Sequence, residues 1–335
     1  MKSEFDFIQH IRNRASAVRS LQSAVRFGIG DDCAILSKDA KIDLVMTTDL
    51  LIEEIDFRLD WATPESLGHK ALAVSLSDVA AMGAKPVWAM LSIGVPAKIW
   101  KTKFVEKFYD GWFKLAEEFS VELIGGDVSR TPDKIVIDSI VAGEVKKGKA
   151  VLRSNARVGD LIFVSGELGG ASAGLKLLES GERSGKSKFD DLLVRQLKPR
   201  PQTEIGCIIG EKNLATAMID LSDGLSSDLA HLCSESKVGA KIFADKIPFD
   251  SNFKKLNQSE KYKNLFSDRL DFALNGGEDF ELLFTANPKK KFQVEKVLKN
   301  LNFSHIGEVT ANVEMIELSG TEKSSILQAD GFRHF

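Results

Sequence analysis

The sequence is poor in the residues that build disulfide frameworks and soft-metal sites. Its 335 residues include 3 cysteines and 5 histidines. Cys33, Cys207 and Cys233 are odd in number and widely scattered, which excludes a disulfide framework or a zinc site and fits a reducing, cytoplasmic setting. No stretch reaches about 18 uncharged apolar residues, so no membrane span is expected. The opening MKSEFDFIQHIRNR carries acids and lacks a continuous apolar core, unlike a secretory signal. Without such a signal, the patterns NQS at Asn257 and NFS at Asn302 carry no meaning as glycosylation sites. An excess of charge is also missing: the net charge is -3. The longest basic run, Lys289 to Lys291, follows Pro288 in helix-like sequence, so no nucleic-acid footprint is expected.

What is present is a globular composition, 43% hydrophobic and 28% charged, in a chain long enough for two domains. KIDLVMTTDLL has strand composition. TPESLGHKALAVSLSDVAAMGAKP reads as a helix with Thr63 as N-cap, Pro64 in the first turn, Gly83 at the C-cap and Pro86 as stop. A second helix is expected from about Trp100 to Phe119, with Phe104, Phe108, Trp112, Leu115 and Phe119 on one face. VELIGGD and KIVIDSIVAGEV follow as strands. A new unit begins near Ala150, where DLIFVSG reads as a strand and GGASAGLKLLES as a glycine-started helix. ATAMIDLSDGLSSDLAHLC is a strand-to-helix unit, NGGEDFELLF a turn and strand, PKKKFQVEKVLKNL a helix, and SHIGEV lies in a final strand. Strands alternate with helices throughout, which predicts two α/β domains, 1–147 and 148–335, joined at the linker-like KKGKA.

Acids recur at the ends of apolar runs: Asp31 and Asp32 in GIGDDCAI, Asp49 in TTDLL, Asp78 in SLSDVAAMG, Asp127 in LIGGDVSR, and Asp220 and Asp223 in MIDLSDGL. GGEDFELLF adds Glu278 and Asp279. Asp78 is the most telling, because Ala71, Val74 and Met82 share its helical face. A carboxylate facing a core must be paired, protonated or bound to a cation. Each acid alone has a plainer reading: a turn Asp at a strand end, a buried acid meeting an Arg, or an N-cap at Ser222 or Asp223. Their number, together with Thr47, Thr48 and Ser222, makes a hard-oxygen set that suits Mg²⁺, with His and Cys nearly absent. Converging carboxylates repel one another and any anionic substrate, and magnesium relieves both effects. That points to phosphoryl transfer, where positioning and charge neutralisation are the protein's main work.

LIGGD, SGELGGASAG and NGGED place paired glycines at strand ends or helix starts, where backbone N–H groups can approach a phosphate, although turns use the same pairs. GERSGKS at Gly181 to Ser187 is one residue short of a Walker A loop and follows no strand directly, so it reads as surface loop. Arg130 and Arg153 are the basic residues nearest the acids and are candidates for a phosphate clamp, or else surface arginines.

Taken in order, GIGDDCAIL, TTDLL, GHKALAVSLSDVAAMGAKP, LIGGDVSR, RSNARVGD, LKPRPQ, AMIDLSDGLSSDLAHLC and NGGEDFELLF resemble the thiamine-monophosphate kinase family. That family belongs to the ATP-binding superfamily of aminoimidazole ribonucleotide synthetase and selenide, water dikinase. The terminal DGFRHF fits too. The resemblance implies an α/β (α+β) protein of two mixed-sheet domains, a homodimer whose N-terminal sheets meet at the interface. It further implies transfer of the ATP γ-phosphoryl group to thiamine monophosphate with several Mg²⁺ ions. Carried over motif by motif, Asp32, Thr47, Thr48, Asp49, Asp78, Asp127, Asp220 and Asp223 would hold metal. Gly126, Asp127, Arg153 and Ser222 would contact ATP, and Glu278 and Phe332 the thiamine end. No general base is implied, because a phosphate monoester with a second pKa of about 6 is largely ionised at neutral pH. Glu278 and Phe332 suit a cationic thiazolium by charge and by cation–π contact.

One position departs from the family pattern. Asp56 stands where the family has a substrate-contacting His before the Phe that follows TD. Either Asp56 recruits a cation to the acceptor phosphate, or it has turned away while Lys70 or another base substitutes. Two alternatives to the kinase remain: a superfamily enzyme with another acceptor, and a non-catalytic nucleotide-binding protein. The dikinase branch is expected to carry a catalytic Cys near the N-terminus, whereas Cys33 lies inside the acidic turn. A non-catalytic protein is expected to have lost acids that are present here.

Overall fold

The alternation of apolar runs and helical segments builds two mixed sheets, each with its own helices. The computed structural model describes residues 4–17, 24–313, 315–320 and 324–332; Arg333 to Phe335 of the terminal motif lie outside them. The first half runs α1 (Glu4–Ala17), β1 (Val25–Phe27), β2 (Ala34–Ser37), β3 (Ile42–Ile52), α2 (Pro64–Ala81), β4 (Lys85–Pro96), α3 (Ala97–Trp100), α4 (Phe104–Phe119), β5 (Glu122–Thr131) and β6 (Val136–Lys146). The second runs β7 (Leu161–Ser165), α5 (Gly170–Glu179), α6 (Asp190–Leu197), α7 (Thr203–Lys212), β8 (Ala217–Asp220), α8 (Leu225–Ser236), β9 (Gly239–Phe243), α9 (Phe253–Asn257), α10 (Arg269–Asn275), β10 (Leu282–Ala286), α11 (Lys291–Val297), β11 (Phe303–Thr310), β12 (Ile316–Ser319) and β13 (Ser324–Ile326). The six-stranded first sheet has the order β1-β2-β3-β6-β4-β5, and the seven-stranded second sheet β13-β12-β9-β11-β7-β10-β8.

Helix α2 organises the molecule. Thr63 caps it by accepting from the Ser66 N–H, and Pro64 opens the first turn, where its missing N–H costs nothing. The C-cap falls on Met82, with Gly83 following at φ +66°, one residue later than the sequence reading placed the glycine. The helix is Leu- and Ala-rich on nearly every face because it is packed on nearly every face. Leu67, Leu72, Leu76 and Val79 join the core of the first sheet with Phe108 and Trp112 of α4, while Ala80 and Ala81 pack with Phe163, Ile209 and Phe284 of the second half. Gly68 and Gly111 let α2 and α4 touch through backbone: a Cβ on Gly68 would lie 1.9 Å from the Phe108 carbonyl oxygen, and one on Gly111 1.9 Å from that of Glu65.

Strand β4 was not foreseen. Pro86 is no helix stop but lies in the strand beside a register irregularity opposite β6, where a missing N–H is tolerated. The helix expected from Trp100 begins only at Phe104, after the separate turn α3. The side of the first sheet away from α2 and α4 presents Leu50 and Met90 to solvent, and Ile124 and Val128 are exposed on the edge strand β5. The GERSGKS segment is mostly exposed, as a surface loop should be.

Candidate active site at the domain junction

Asp78 projects from α2 between Thr47, inside β3, and Asp220, at the end of β8. Oxygens of Asp32, Asp78 and Asp220 lie within 4.8 Å of one another. Asp32 comes from the turn before β2, and Asp220 from the last residue of β8. Each carboxylate is held by a hydroxyl or a guanidinium. Thr47 donates to Asp78, the Ser77 hydroxyl to Asp220 at 2.6 Å, and Arg153 to Asp32 at 2.5 Å. Asp49 extends the group from β3, accepting from the Ser75 hydroxyl at 2.6 Å. Asp31 lies behind it, accepting from the Arg153 backbone N–H at 3.1 Å.

Among the described residues, five carboxylates thus gather where one guanidinium, that of Arg153, contacts only Asp31 and Asp32. Burial, followed by repulsion from Asp49, Asp220 and Asp32, raises Asp78 well above the usual carboxylate range. Burial and the Asp32 charge push Asp220 to about 8, and burial with Asp32 brings Asp31 to about 7. Asp32 and Asp49 are raised as well, again chiefly by burial. Burial opposes the Arg153 charge, but Asp32, Asp31 and Asp78 outweigh it and hold the guanidinium ionised. His231, buried near Arg153, is lowered to about 4 and is neutral at physiological pH. The second carboxylate oxygen of Asp32 is buried without a hydrogen-bond partner. An all-oxygen set with surplus negative charge and an orphaned acceptor fits a hard divalent cation.

The cluster opens into a cleft of 490 Å³ whose wall includes Asp49, Asp56, Lys70, Ser222, Asp223, Glu278 and Phe332. The loop after Gly277 is bent sharply, with Glu278 at φ +66° and Phe280 at φ +50°. It is pinned from both sides: the Glu278 N–H donates to the Ser222 carbonyl at 2.7 Å, and the intervening Asp279 accepts from the N–H groups of Gly169 and Ala171 at the start of α5. Glu278 pairs with Lys70 at 2.6 Å and accepts from the Gln196 amide. Phe332, half exposed, is tethered through its N–H to the Asp223 carbonyl at 3.1 Å.

The sequence-derived site residues thus separate into three places. Asp32, Thr47, Asp49, Asp78, Asp220 and Arg153 are gathered at the cluster. Ser222, Asp223, Asp56, Glu278 and Phe332 line the cleft. Thr48, Gly126 and Asp127 are reached from the first sheet: Thr48 donates to Asp138 at 2.6 Å, Gly126 sits in the same cross-strand row as Asp49, and Asp127 lies exposed in edge strand β5 opposite Ser92. Thr48 and Asp127 lie in rows that face away from α2, the Asp127 row running through Ser92, Asp138 and Leu50, whereas Asp49 faces α2 through Ser75. Arg130 is exposed in β5. Neither Ser222 nor Asp223 is an N-cap: Gly224 occupies that position of α8, and Asp228 reaches back to the Asp223 and Gly224 N–H groups.

Asp56 points its carboxylate at the protein, accepting from the Ile52 N–H at 2.7 Å. Ser75, Ser77, Trp61 and Gln196 escaped the sequence reading. The two serines were within reach of it, since they lie on the same helix as Asp78 and within one turn of it. Trp61 and Gln196 carry no local signal.

Two abutting mixed-sheet domains with an acid cluster between them define a class, and comparison with known families names it. Residues 30–145 match the AIR synthase related protein, N-terminal domain, and residues 157–317 its C-terminal domain. The chain is 35% identical to the thiamine-monophosphate kinase of Bacillus subtilis over 339 residues, covering 99% of each protein. It is 36% identical to that of Escherichia coli K12, covering 99% of this chain and 98% of the relative. A solved structure described as AaThiL complexed with AMPPCP and TMP superposes with a TM-score of 0.83 at 31% identity, covering 99% of this chain and 97% of that one. The chain belongs to the thiamine-monophosphate kinase family. E. coli HypE, a hydrogenase maturation protein, shares the fold at 17% identity, covering 85% of each chain with a TM-score of 0.67.

Proposed function

We propose that this chain transfers the γ-phosphoryl group of ATP to thiamine monophosphate, giving thiamine diphosphate and ADP. The observation that carries the reading is the convergence of Asp32, Asp78 and Asp220 within 4.8 Å at the head of a cleft bearing Glu278 and Phe332. A relative solved with AMPPCP and TMP supports the same substrates.

In the reaction, an oxygen of the acceptor phosphate bonds to the γ-phosphorus. The bond from that phosphorus to the β,γ-bridging oxygen breaks, and the electron pair leaves with ADP. Asp32, Asp49, Asp78 and Asp220, with Thr47, form the oxygen set that would hold Mg²⁺, and Thr48, Asp127 and Asp223 would extend it. Bound magnesium supplies charge neutralisation and orientation of the phosphate oxygens. Arg153 holds Asp32 in place and offers a guanidinium to the nucleotide, together with Gly126, Asp127 and the Ser222 hydroxyl. Glu278 presents a carboxylate to the thiazolium, and Phe332 an aromatic face. The acceptor oxygen is already ionised near neutral pH, so no side chain needs to take a proton.

The apolar residues Leu50 and Met90, exposed on the face of the first sheet away from α2 and α4, support a homodimer formed through that face. Light scattering should report twice the chain mass, and Met90→Asp should halve it. The free thiols Cys33, Cys207 and Cys233 accord with a cytoplasmic setting, and among the described residues no helix is long and apolar enough to cross a membrane. Incubation with ATP, Mg²⁺ and thiamine monophosphate, followed by chromatography for thiamine diphosphate, tests the activity.

A further inference from the structure

Lys70 is a buried cation in the wall of the cleft. It is 4% exposed and projects from α2, where Lys70, Val74 and Asp78 follow one another at the four-residue spacing that keeps side chains on one face. This face therefore runs from the cleft to the acid cluster, and Asp49 belongs to both. The ammonium pairs with Glu278 at 2.6 Å and lies 3.5 Å from the Asp56 carbonyl. Among the described residues the cleft's other cation, Arg58, is engaged at its rim, paired with Asp60 at 3.1 Å and stacked over Trp61. Glu278 is held by Gln196 through its other oxygen, so its carboxylate stays in place when Lys70 moves.

Resting on the thiamine-monophosphate reading, we propose that Lys70 and Glu278 form a partner-exchange pair that selects a substrate carrying both a cation and a phosphate. In the free protein each charge neutralises the other. When substrate enters, its thiazolium takes the Glu278 carboxylate, and the Lys70 ammonium turns along α2 to the acceptor phosphate. A cation without a phosphate displaces Lys70 and leaves a buried ammonium unpaired. A phosphate without a cation draws Lys70 away and strands Glu278. Each half-ligand therefore leaves one charge of the pair uncompensated, the buried Lys70 ammonium or the Glu278 carboxylate, whose side chain is 29% exposed, and only the zwitterion satisfies both partners. The cleft thereby rejects free thiamine through an unpaired charge of its own, without a steric block.

Equilibrium dialysis on the full chain tests the exchange with two half-ligands, thiamine and phenyl phosphate. Lys70→Met frees Glu278 and should bind thiamine about tenfold more tightly than wild type while binding thiamine monophosphate about tenfold more weakly. Glu278→Gln frees Lys70 and should bind phenyl phosphate about tenfold more tightly than wild type. A merely structural ion pair predicts that neither half-ligand gains in either variant, and a folded variant that binds its half-ligand no better than wild type overturns the exchange. Should Lys70→Met fail to fold, Glu278→Gln, at a partly exposed side chain, decides alone. Turnover of thiamine monophosphate by wild type is scored separately. If wild type makes no diphosphate while both variants gain their half-ligands, the substrate assignment falls and the exchange stands for another cationic phosphate monoester.

Discussion

The Ser77 hydroxyl on α2 donates to the Asp220 carboxylate at the end of β8 across 2.6 Å, joining the helix of the first sheet to a strand of the second. Both residues are buried, so the bond is made in a medium where a lost donor is not replaced by water. Ser77→Ala should destabilise the protein by about 1–2 kcal/mol, the cost of an unsatisfied buried acceptor. Urea unfolding in the absence of divalent cation measures this. An unchanged midpoint would mean that Asp220 finds another donor.

The acid cluster places binding ahead of stability. Asp78 is raised well above the ordinary range by burial and by Asp49, Asp220 and Asp32, so its charge is a burden until a cation arrives. Asp78→Asn should raise the unfolding free energy of the metal-free protein by about 1–3 kcal/mol. It should also lower kcat by about 100-fold or more. For wild type, added Mg²⁺ should raise Tm, and for Asp78→Asn that increment should shrink. Thermal scans with and without Mg²⁺, run beside the activity assay, check both signs.

A second buried acid group predicts a pH dependence. Glu281 accepts from the Ser165 hydroxyl and lies 3.7 Å from Arg195, yet burial pushes it from 4.5 to about 7. Burial likewise raises Asp279 from 3.8 to about 6. A folded-state pKa above the unfolded value means that the native state binds the extra proton between the two values. Stability is therefore fullest below the unfolded pKa and falls as pH rises toward the folded one. For Glu281 that loss spans the interval from 4.5 to about 7. Glu281→Gln should flatten the stability profile there, as read by urea midpoints at several pH values. An equally steep profile would assign the slope elsewhere.

Much of this arrangement was legible in the residues. Thr63, Pro64 and Gly83 bracket α2 because capping chemistry is local, and Asp78 stood out because its helical neighbours are apolar. The same locality misread Pro86, whose place in β4 depends on the partner strand β6. The acids were readable one by one, although Asp49 and Asp127 lie inside β3 and β5 and not at strand ends. What was not readable is which acids meet: Asp32 and Asp220 are far apart in sequence, and Asp127 is carried to an exposed edge by its register with Ser92. Gln196 and Trp61 gain meaning only from the cleft that tertiary packing creates.

Asp56 illustrates that limit. Where the family resemblance implies a histidine, it caps the Ile52 N–H at 2.7 Å, which favours the turned-away reading over cation recruitment. Asp56→Ala should leave KM for thiamine monophosphate within about twofold and cost about 1 kcal/mol of stability through the lost backbone hydrogen bond. A large rise in KM would return Asp56 to the substrate.

The phosphoryl transfer can be followed directly by ³¹P resonances while the protein, ATP and Mg²⁺ are mixed with either thiamine monophosphate or free thiamine. Thiamine diphosphate and ADP should accumulate in equal amounts from the monophosphate alone. ATP consumed with neither compound phosphorylated, or a monophosphate formed from free thiamine, would contradict that transfer.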